Sequence, residues 1–150
     1  MEFTQKITTD GFLMLMAIDP GGKSGIAIRL PNGDFVTCIC ESIFVDEKGK
    51  RYFDATQLYD MLKTDGITHV VVETFQATTI DKHGLHTVRL VGAIEAICYY
   101  RGIPLTKHMP QDRYPFKLEA KQLLIEKKTK YLVHEFDALS HLLRYEYDNR

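Results

Sequence analysis

Two apolar stretches of the sequence have the length and composition of strands buried on both faces, and each ends on a carboxylate. Residues 12–18 are apolar throughout and are followed by Asp19. Residues 67–72 are almost all β-branched and are followed by Glu73. Strands without alternation of polar and apolar residues are typical of a sheet that helices cover on both sides. If the two strands are neighbours, their acidic ends converge at one edge of that sheet.

Turn residues and apolar periodicity divide the rest of the chain into further elements. Residues 25–30 and 35–41 flank Pro31-Asn32-Gly33-Asp34, which is typical of a hairpin turn. The order β-β-β-α-β-α-β-α-α predicts an α/β fold with a mixed five-stranded sheet, its first three strands antiparallel, and helices on both faces. The remaining predicted elements are helices at 54–63, 86–101, 116–127 and 132–147, a strand at 103–107, and loops at 45–51 and 74–84.

Length and composition predict one ordinary globular domain. The chain has 150 residues, of which 45% are hydrophobic and 26% charged. We expect a polar N-terminal extension at residues 1–12 and a single domain at 13–150. No apolar run reaches the roughly 20 residues of a membrane span, and the N-terminus lacks the pattern of a secretory signal, so no membrane partner is expected.

The cysteines indicate a reducing compartment. Cys38, Cys40 and Cys98 form neither an even disulfide framework nor a CxxC pair. Cys38 and Cys40 are two residues apart and lie on one face of a predicted strand. We expect three reduced thiols and a cytoplasmic protein.

The charge distribution is uneven along the chain. The formal net charge of −1 does not give the overall basic surface that is common in nucleic-acid-binding proteins. Residues 113–130, however, contain six basic and only two acidic side chains. This segment is either a solvated helix face or a surface that contacts phosphates.

The predicted last helix supplies two further polar residues. His134 and Asp137 are three residues apart, so they share a helix face, and the small Ala138 would let the helix approach the sheet. A lone histidine on a helix is more often a surface or hydrogen-bonded core residue than a ligand, and this interpretation is retained for His141. Together with Asp19 and Glu73, His134 and Asp137 form a candidate site for a divalent metal and phosphodiester hydrolysis.

These motifs together resemble a known family. The sequence is similar to the RuvC-type Holliday junction resolvases of the RNase H-like superfamily from about residue 13 to residue 143. The residues 87–96, followed by Arg101-Gly102-Ile103-Pro104 and Pro110, resemble the form found in bacteriophage genomes. The superfamily resemblance depends on Ala17-Ile18-Asp19-Pro20-Gly21 with Ser24-Gly25-Ile26-Ala27, on Val71-Val72-Glu73, and on His134-x-x-Asp137-Ala138-Leu139.

The resemblance implies a catalytic site and a cofactor. Asp19, Glu73, His134 and Asp137 would be both catalytic residues and metal ligands, for Mg²⁺ or Mn²⁺ and with two ions in each active site. Many relatives have Asp at the first position of the terminal-helix pair and some resolvases have His, so His134 would be a ligand or a group that transfers a proton near the attacking water.

The resemblance also implies a substrate and a partner chain. The enzyme would be a homodimer, paired through the helix 86–101, that cuts four-way DNA junctions and leaves 5′-phosphate ends. If the chain is encoded by a phage, it would act in the cytoplasm of the bacterial host. Candidate DNA contacts are the aromatic and basic residues Phe75, Lys82, Arg89, Arg113, Lys117 and Lys121.

Three other functions fit parts of the pattern. An RNA-processing nuclease could use the same fold and the same ligands, since fold alone does not decide the substrate. A module that binds branched DNA without cutting it would also fit, because only three of the four candidate ligands are carboxylates. An actin-like kinase or ATPase would explain Asp-x-Gly-Gly at residues 19–22, although 150 residues are too few for the two domains that such a protein needs.

Overall fold

A mixed five-stranded sheet forms the centre of the computed structural model, which describes residues 14–64, 66–74, 82–127 and 130–150. The elements are β1 (Met14–Asp19), β2 (Lys23–Arg29), β3 (Phe35–Glu41), β4 (Ile43–Val45), β5 (Arg51–Phe53), α1 (Thr56–Leu62), β6 (Ile67–Glu73), α2 (Lys82–Arg101), β7 (Leu105–His108), a 3₁₀ helix (Pro110–Phe116), α3 (Lys117–Lys127) and α4 (Val133–Asp148). The strands of the sheet follow the order β3-β2-β1-β6-β7. The β1–β2 and β2–β3 pairs are antiparallel, whereas β6 is parallel to both β1 and β7.

Alternate residues of the central strands fill two separate cores, one on each side of the sheet. Met16 and Ile18 of β1 pack with Val70 and Val72 of β6 against α1 and α2. The residues between them point to the opposite face, because successive side chains of a strand alternate. That second core contains Leu15, Ala17, Ala27, Val71, Ala120, Leu124, Ala138, Leu139, Leu142 and Leu143. The predicted α/β sheet with helices on both faces is therefore confirmed.

The hairpin between β2 and β3 forms where the turn sequence predicts it. Gly33 has a φ of 89°, a conformation that glycine adopts without a steric penalty. The amide of Gly33 donates to the carbonyl of Leu30, and the amide of Asp34 donates to the side chain of Asn32. These local bonds fix the antiparallel register of the two strands.

Several element boundaries differ from the predictions. The predicted loop 45–51 is part of a second hairpin, in which β4 and β5 pair around a turn that the Asp46 carboxylate stabilises through the amides of Lys48 and Lys50. The fifth strand of the sheet is shifted to Leu105–His108, and a 3₁₀ helix separates it from α3. Short three-residue strands lack the periodicity that a sequence pattern can detect.

Some predictions fall outside the described residues. The proposed N-terminal extension at residues 1–12 and the loop residue Phe75 are both in this class. The helix predicted from residue 86 begins at Lys82, inside the predicted loop 74–84, and residues 75–81 of that loop lie outside the described residues. Within the described ranges, no helix has the length and hydrophobicity needed to cross a bilayer.

Cys38, Cys40 and Cys98 are not joined in a disulfide, in agreement with the predicted reduced thiols. Cys40 and Cys98 are buried in the core beside α1 and α2. Burial raises the pKa of each of these two thiols to about 11, so they are protonated at neutral pH and unreactive. Their role is packing.

Candidate metal site at the carboxyl ends of two strands

Asp19 and Glu73 end adjacent parallel strands. Ile18 of β1 is in register with Val72 of β6, so the next residue of each strand reaches the same edge of the sheet. Ala17 and Val71 both point to the α3 and α4 side, and the period of two places Asp19 and Glu73 on that side as well. The two carboxylates predicted to converge therefore do so.

The start of α4 delivers His134 to Asp19. Gly25 of β2 is the cross-strand partner of Asp19, and a Cβ atom at Gly25 would overlap the carbonyl group of His134. The missing side chain lets the backbone of α4 lie directly on β2. The Nδ1 atom of His134 lies 2.7 Å from Oδ2 of Asp19, within hydrogen-bond distance. Asp137 follows on the same helix face, one turn later.

The three residues Asp19, His134 and Asp137 form a compact group of donor atoms. One donor atom from each lies within 4.8 Å of the others. Asp19 and Asp137 are buried, whereas the His134 side chain is 47% exposed. Because Nδ1 of His134 faces Asp19, the other ring nitrogen, Nε2, is the one that can meet a substrate.

Burial and neighbouring negative charge raise the pKa of Asp19 to about 6. Burial is the larger cause, and the charge of Glu73 adds to it, while the hydrogen bond from His134 works in the opposite direction. Burial also raises the pKa of Asp137, against the lowering effect of Arg113. The site thus holds more negative charge than its own cationic groups neutralise.

Arg113 of the 3₁₀ helix inserts its guanidinium between Glu73 and Asp137. Its Nη1 donates to both carboxylate oxygens of Glu73, at 2.7 and 2.9 Å. Its Nε lies 3.3 Å from Oδ1 of Asp137 without the geometry of a hydrogen bond, which leaves this buried donor without an acceptor among the described residues. Arg113 was predicted to contact DNA, and the structure places it inside the carboxylate cluster.

Glu73 has a second hydrogen-bond partner, on the buried side of the site. His141 of α4 is completely buried, and its Nε2 lies 2.8 Å from Oε2 of Glu73. The Nδ1 of His141 lies 3.0 Å from Nδ1 of His108, at the end of β7. Burial by itself raises the pKa of Glu73, but His141 and Arg113 together outweigh burial, and the net pKa lies below the usual value. Glu73 is therefore ionised and held on two sides.

The other basic residues predicted to contact DNA are spread over three elements. Lys117, at the start of α3, lies with its ammonium over the rings of Tyr114 and Phe136 and lowers the pKa of Asp137, so it is at the rim of the site. Lys121 is exposed one turn further along α3. Arg89 is exposed on α2, on the other side of the sheet, with its guanidinium over the ring of Phe53. Lys82 is the first residue of α2.

In its described part, the basic segment 113–130 does not form one continuous phosphate-binding surface. Arg113 is taken up by Glu73 and Asp137, and Lys127 makes a 2.6 Å ion pair with Asp34 in the β2–β3 hairpin. Only part of the positive charge counted in the sequence is thus exposed near the site.

The residues present fit a divalent cation. Two carboxylates and one imidazole within reach of each other, with Glu73 beside them, are the oxygen-rich set that Mg²⁺ prefers, and Mn²⁺ accepts the imidazole as well. The position of Arg113 between two of the carboxylates is a direct observation that this cluster attracts positive charge.

Sequence reasoning missed the role of two histidines. His108 lies one residue beyond the predicted strand 103–107, and the prediction for His141 is a surface or hydrogen-bonded core residue and not a ligand. Both are indeed hydrogen-bonded and buried, but their bonds lead to Glu73. The available indication was their position: His108 ends a strand parallel to β6, and His141 is one helical turn from Asp137.

Comparison with known proteins gives structural matches only. No family model and no curated protein matches the sequence. The fold is similar to that of T. thermophilus RuvC in complex with a Holliday junction substrate, with a TM-score of 0.63 and 16% identity over 92% of this chain and 95% of that one. Another Thermus thermophilus RuvC structure gives a TM-score of 0.62 and 15% identity over 92% and 96% of the two chains.

A third match comes from a eukaryotic organelle. The yeast mitochondrial Holliday junction resolvase Ydc2 gives a TM-score of 0.55 and 12% identity, over 95% of this chain and 81% of that one. The sheet order and the helices on both faces give an α/β fold of the RNase H-like type. Within that class, the chain has the fold of the RuvC-type resolvases.

Proposed function

We propose that the chain is a metal-dependent endonuclease that cuts four-way DNA junctions. The observation that most supports this proposal is the convergence of Asp19, His134 and Asp137 at one sheet edge, with donor atoms within 4.8 Å of one another and Glu73 alongside. A RuvC protein with the same fold is described in complex with a Holliday junction, which favours branched DNA as the substrate.

Asp19 and Asp137 are the proposed ligands of the cation, with Glu73 completing the site and His134 acting either as a further ligand or as a group that transfers a proton. Bound Mg²⁺ or Mn²⁺ would supply Lewis-acid stabilisation of the negative charge that develops on the phosphate and the leaving oxygen. In the reaction, a water oxygen bonds to phosphorus, the P–O3′ bond breaks, and the 3′ oxygen takes up a proton, which leaves a 5′-phosphate. Two cations per site remain a prediction.

Two side chains have further proposed roles in this reaction. His134 is half-exposed, and since its Nδ1 is engaged by Asp19, its Nε2 is the atom that would either coordinate the cation or accept a proton from water and return it. The Arg113 guanidinium partly neutralises Glu73 and Asp137, which lowers the repulsion between the cluster and the DNA phosphate.

DNA contacts outside the carboxylate cluster are assigned on exposure and position. Lys117 at the rim and Lys121 on the same helix lie where a phosphate backbone entering the site would pass. Arg89 is exposed on α2, so it would contact a different part of the junction. Phe75 and Lys82 remain predicted contacts from the sequence.

We further propose that the protein acts as a homodimer through α2. The outward face of this helix exposes the apolar side chains of Leu85, Val88, Tyr99 and Tyr100, the two tyrosines at 85% and 89%. Between them, a Cβ atom at Gly92 would meet nothing within 4 Å, so a second helix can approach closely. Two copies would place two sites on one junction. Sedimentation that gives the mass of a single chain at micromolar concentration would contradict this arrangement.

The decisive experiment compares junction and duplex substrates. Purified protein is incubated with a labelled four-way junction or a matched linear duplex, in Mg²⁺, Mn²⁺ or EDTA. The proposal predicts paired symmetrical nicks near the branch that need metal and are absent from the duplex. Junction binding without cutting in either metal would support a binding module instead, and equal cutting of structured RNA would support an RNA-processing nuclease.

A phage origin and a cytoplasmic location remain predictions from the sequence. The free cysteines are compatible with a reducing compartment.

A further inference from the structure

A buried chain of two histidines ends on Glu73. His108 on β7 is 7% exposed and His141 on α4 is fully buried. Their Nδ1 atoms are 3.0 Å apart, and Nε2 of His141 is 2.8 Å from Oε2 of Glu73. His108 is also the register partner of Glu73 between β7 and β6. The chain therefore joins the outer strand of the sheet to the terminal helix through the one carboxylate at the end of β6.

The hydrogen-bond pattern fixes which atom of His141 donates. An ionised carboxylate only accepts, so Nε2 of His141 must hold the proton that points to Glu73. With the single proton of a neutral imidazole on Nε2, the Nδ1 of His141 is an acceptor, so the proton between the two Nδ1 atoms belongs to His108. His108 thus donates to His141, which orients the ring that donates to Glu73.

Packing alone does not explain this arrangement. His141 lies among the apolar residues Leu139, Leu142 and Leu143 on a helix whose inward face is otherwise suited to leucine or alanine. Burying two imidazoles requires that each polar atom find a partner, a cost that an apolar residue avoids. The bonds of both rings lead to one acidic group, which indicates a function at that group.

The two hydrogen-bond partners of Glu73 differ in how deeply they are buried. Arg113 approaches from the 3₁₀ helix and is 18% exposed, whereas His141 is anchored in the core. A cation that enters the cluster competes with the guanidinium of Arg113 for the same carboxylate oxygens. The bond from His141 to Oε2 would persist through that exchange.

We propose that His141, oriented by His108, is a positioning residue that holds the carboxylate of Glu73 toward Asp19 and Asp137 for cation binding. This inference rests on the proposed metal-dependent function. Groups that orient a metal ligand from behind typically change metal affinity by roughly 10–100-fold when they are removed. His141 would act through Glu73 and would touch neither DNA nor the reacting phosphate.

Two polar substitutions at His141 distinguish the loss of the hydrogen bond to Glu73 from a general loss of folding. In His141→Gln the amide nitrogen reaches about as far as Nε2 and can still donate to Glu73. In His141→Asn the amide can still bond to His108 but is too short to reach Glu73. His69→Gln is the control, since His69 bonds to Thr106 and stacks on Tyr145 at the opposite end of β6.

The measurement is Mn²⁺ binding to the full chain without DNA, by calorimetry, with the melting temperature recorded for each variant. We expect His141→Asn to raise the Kd for Mn²⁺ by roughly tenfold or more, and His141→Gln and His69→Gln to stay within about threefold of the wild type. Half-maximal cleavage should require correspondingly more metal in His141→Asn, with kcat recovered at saturation.

The outcomes separate this inference from the proposed function. If folded His141→Asn binds Mn²⁺ as tightly as the wild type, the positioning role is wrong even if junction cleavage stands. If His141→Gln weakens Mn²⁺ binding as much as His141→Asn does, the hydrogen bond donated to Glu73 is not the reason for the weaker binding. A wild type that binds Mn²⁺ without cutting junctions would overturn only the proposed function, whereas a wild type that binds no Mn²⁺ would overturn both.

Discussion

Two arginine–glutamate pairs lie at opposite ends of the same face of the sheet, and they differ in charge balance. Arg29 binds Glu146 through two parallel hydrogen bonds of 2.7 and 2.8 Å, one cation for one anion. Arg113 faces Glu73, Asp137 and, more distantly, Asp19, so one cation serves three carboxylates. The first pair is a balanced structural link between β2 and α4. The second is an unbalanced cluster, and the surplus of negative charge distinguishes a cation site from an ordinary ion pair.

A cavity lies at the opposite end of the molecule from the candidate metal site. A cavity of about 580 Å³ lies beside the balanced pair, and Arg29, His69, Tyr145 and Glu146 are among its lining residues. None of the residues lining that cavity is a predicted ligand. The candidate site is instead a group of charged side chains at the sheet edge, in which Asp19 and Asp137 are buried and His134 is half-exposed.

The largest expected effect comes from Asp19→Asn. Loss of a ligand charge should lower junction cleavage by roughly a thousandfold, which corresponds to several kcal/mol of transition-state stabilisation. The same change should raise the free energy of unfolding at pH 7 by about 1–2 kcal/mol, because burial makes the ionised Asp19 unfavourable. Cleavage assays and denaturant unfolding test the two parts. Glu146→Gln is the control, and it should leave cleavage unchanged; retained cleavage in Asp19→Asn would remove Asp19 from the site.

Gly25→Ala should destabilise the protein by disturbing the backbone contact between α4 and β2 beside the candidate metal site. The added methyl group would overlap the His134 carbonyl, so α4 must move away from β2, at a cost of about 3 kcal/mol in the free energy of unfolding. Gly92→Ala on α2 is the matched control when the protein is dilute enough to be a single chain, because the new atom then meets open space and the helix gains roughly 0.5–1 kcal/mol in stability. Thermal unfolding of both variants checks the difference. Equal stability of the two would mean that α4 does not rest on Gly25.

Arg113→Gln and Arg29→Gln compare the two ion pairs directly. Removal of Arg113 leaves Glu73 and Asp137 without their shared cation, which should lower metal-free stability by about 2 kcal/mol. Added Mn²⁺ should restore much of that loss, because it can take the place of the lost charge. The loss in Arg29→Gln should be smaller, about 1 kcal/mol or less, and independent of Mn²⁺. Melting temperatures with and without Mn²⁺ provide the test, and a metal response in Arg29→Gln would contradict the contrast.

The smallest expected effect is a dependence of metal affinity and of metal-free stability on pH, which only the unbalanced cluster should show. Asp19, with a pKa of about 6, must lose its proton to bind a cation, so metal affinity should rise with pH up to about 6 and level off above it. The stability of the metal-free protein should change in the opposite direction. Because the folded pKa exceeds the usual value of 3.8, protonated Asp19 favours the folded state, and that contribution is lost as the pH rises from about 4 through 6. Mn²⁺ titrations at pH 5 to 8 check the first trend, and a flat profile would show that Asp19 is not a ligand.

Much of the fold could be predicted because its determinants are local. The apolar runs before Asp19 and Glu73 specify central strands, and the Asn32-Gly33 turn fixes a hairpin, since each depends only on neighbouring residues. The spacing of His134 and Asp137 likewise requires only a helix. The second hairpin was missed because its strands are three residues long and lack a periodic pattern.

The sequence by itself therefore determined which residues end the central strands and which share a face of the last helix. Only the tertiary structure decided that Arg113, 40 positions from Glu73 in the chain, enters the carboxylate cluster instead of remaining on a DNA-binding surface. It also decided that His108 and His141 meet beneath Glu73. Strand and helix periodicity follow from backbone geometry over a few residues, whereas the charge balance and the pKa values of a buried site depend on side chains that distant parts of the chain bring within a few ångströms.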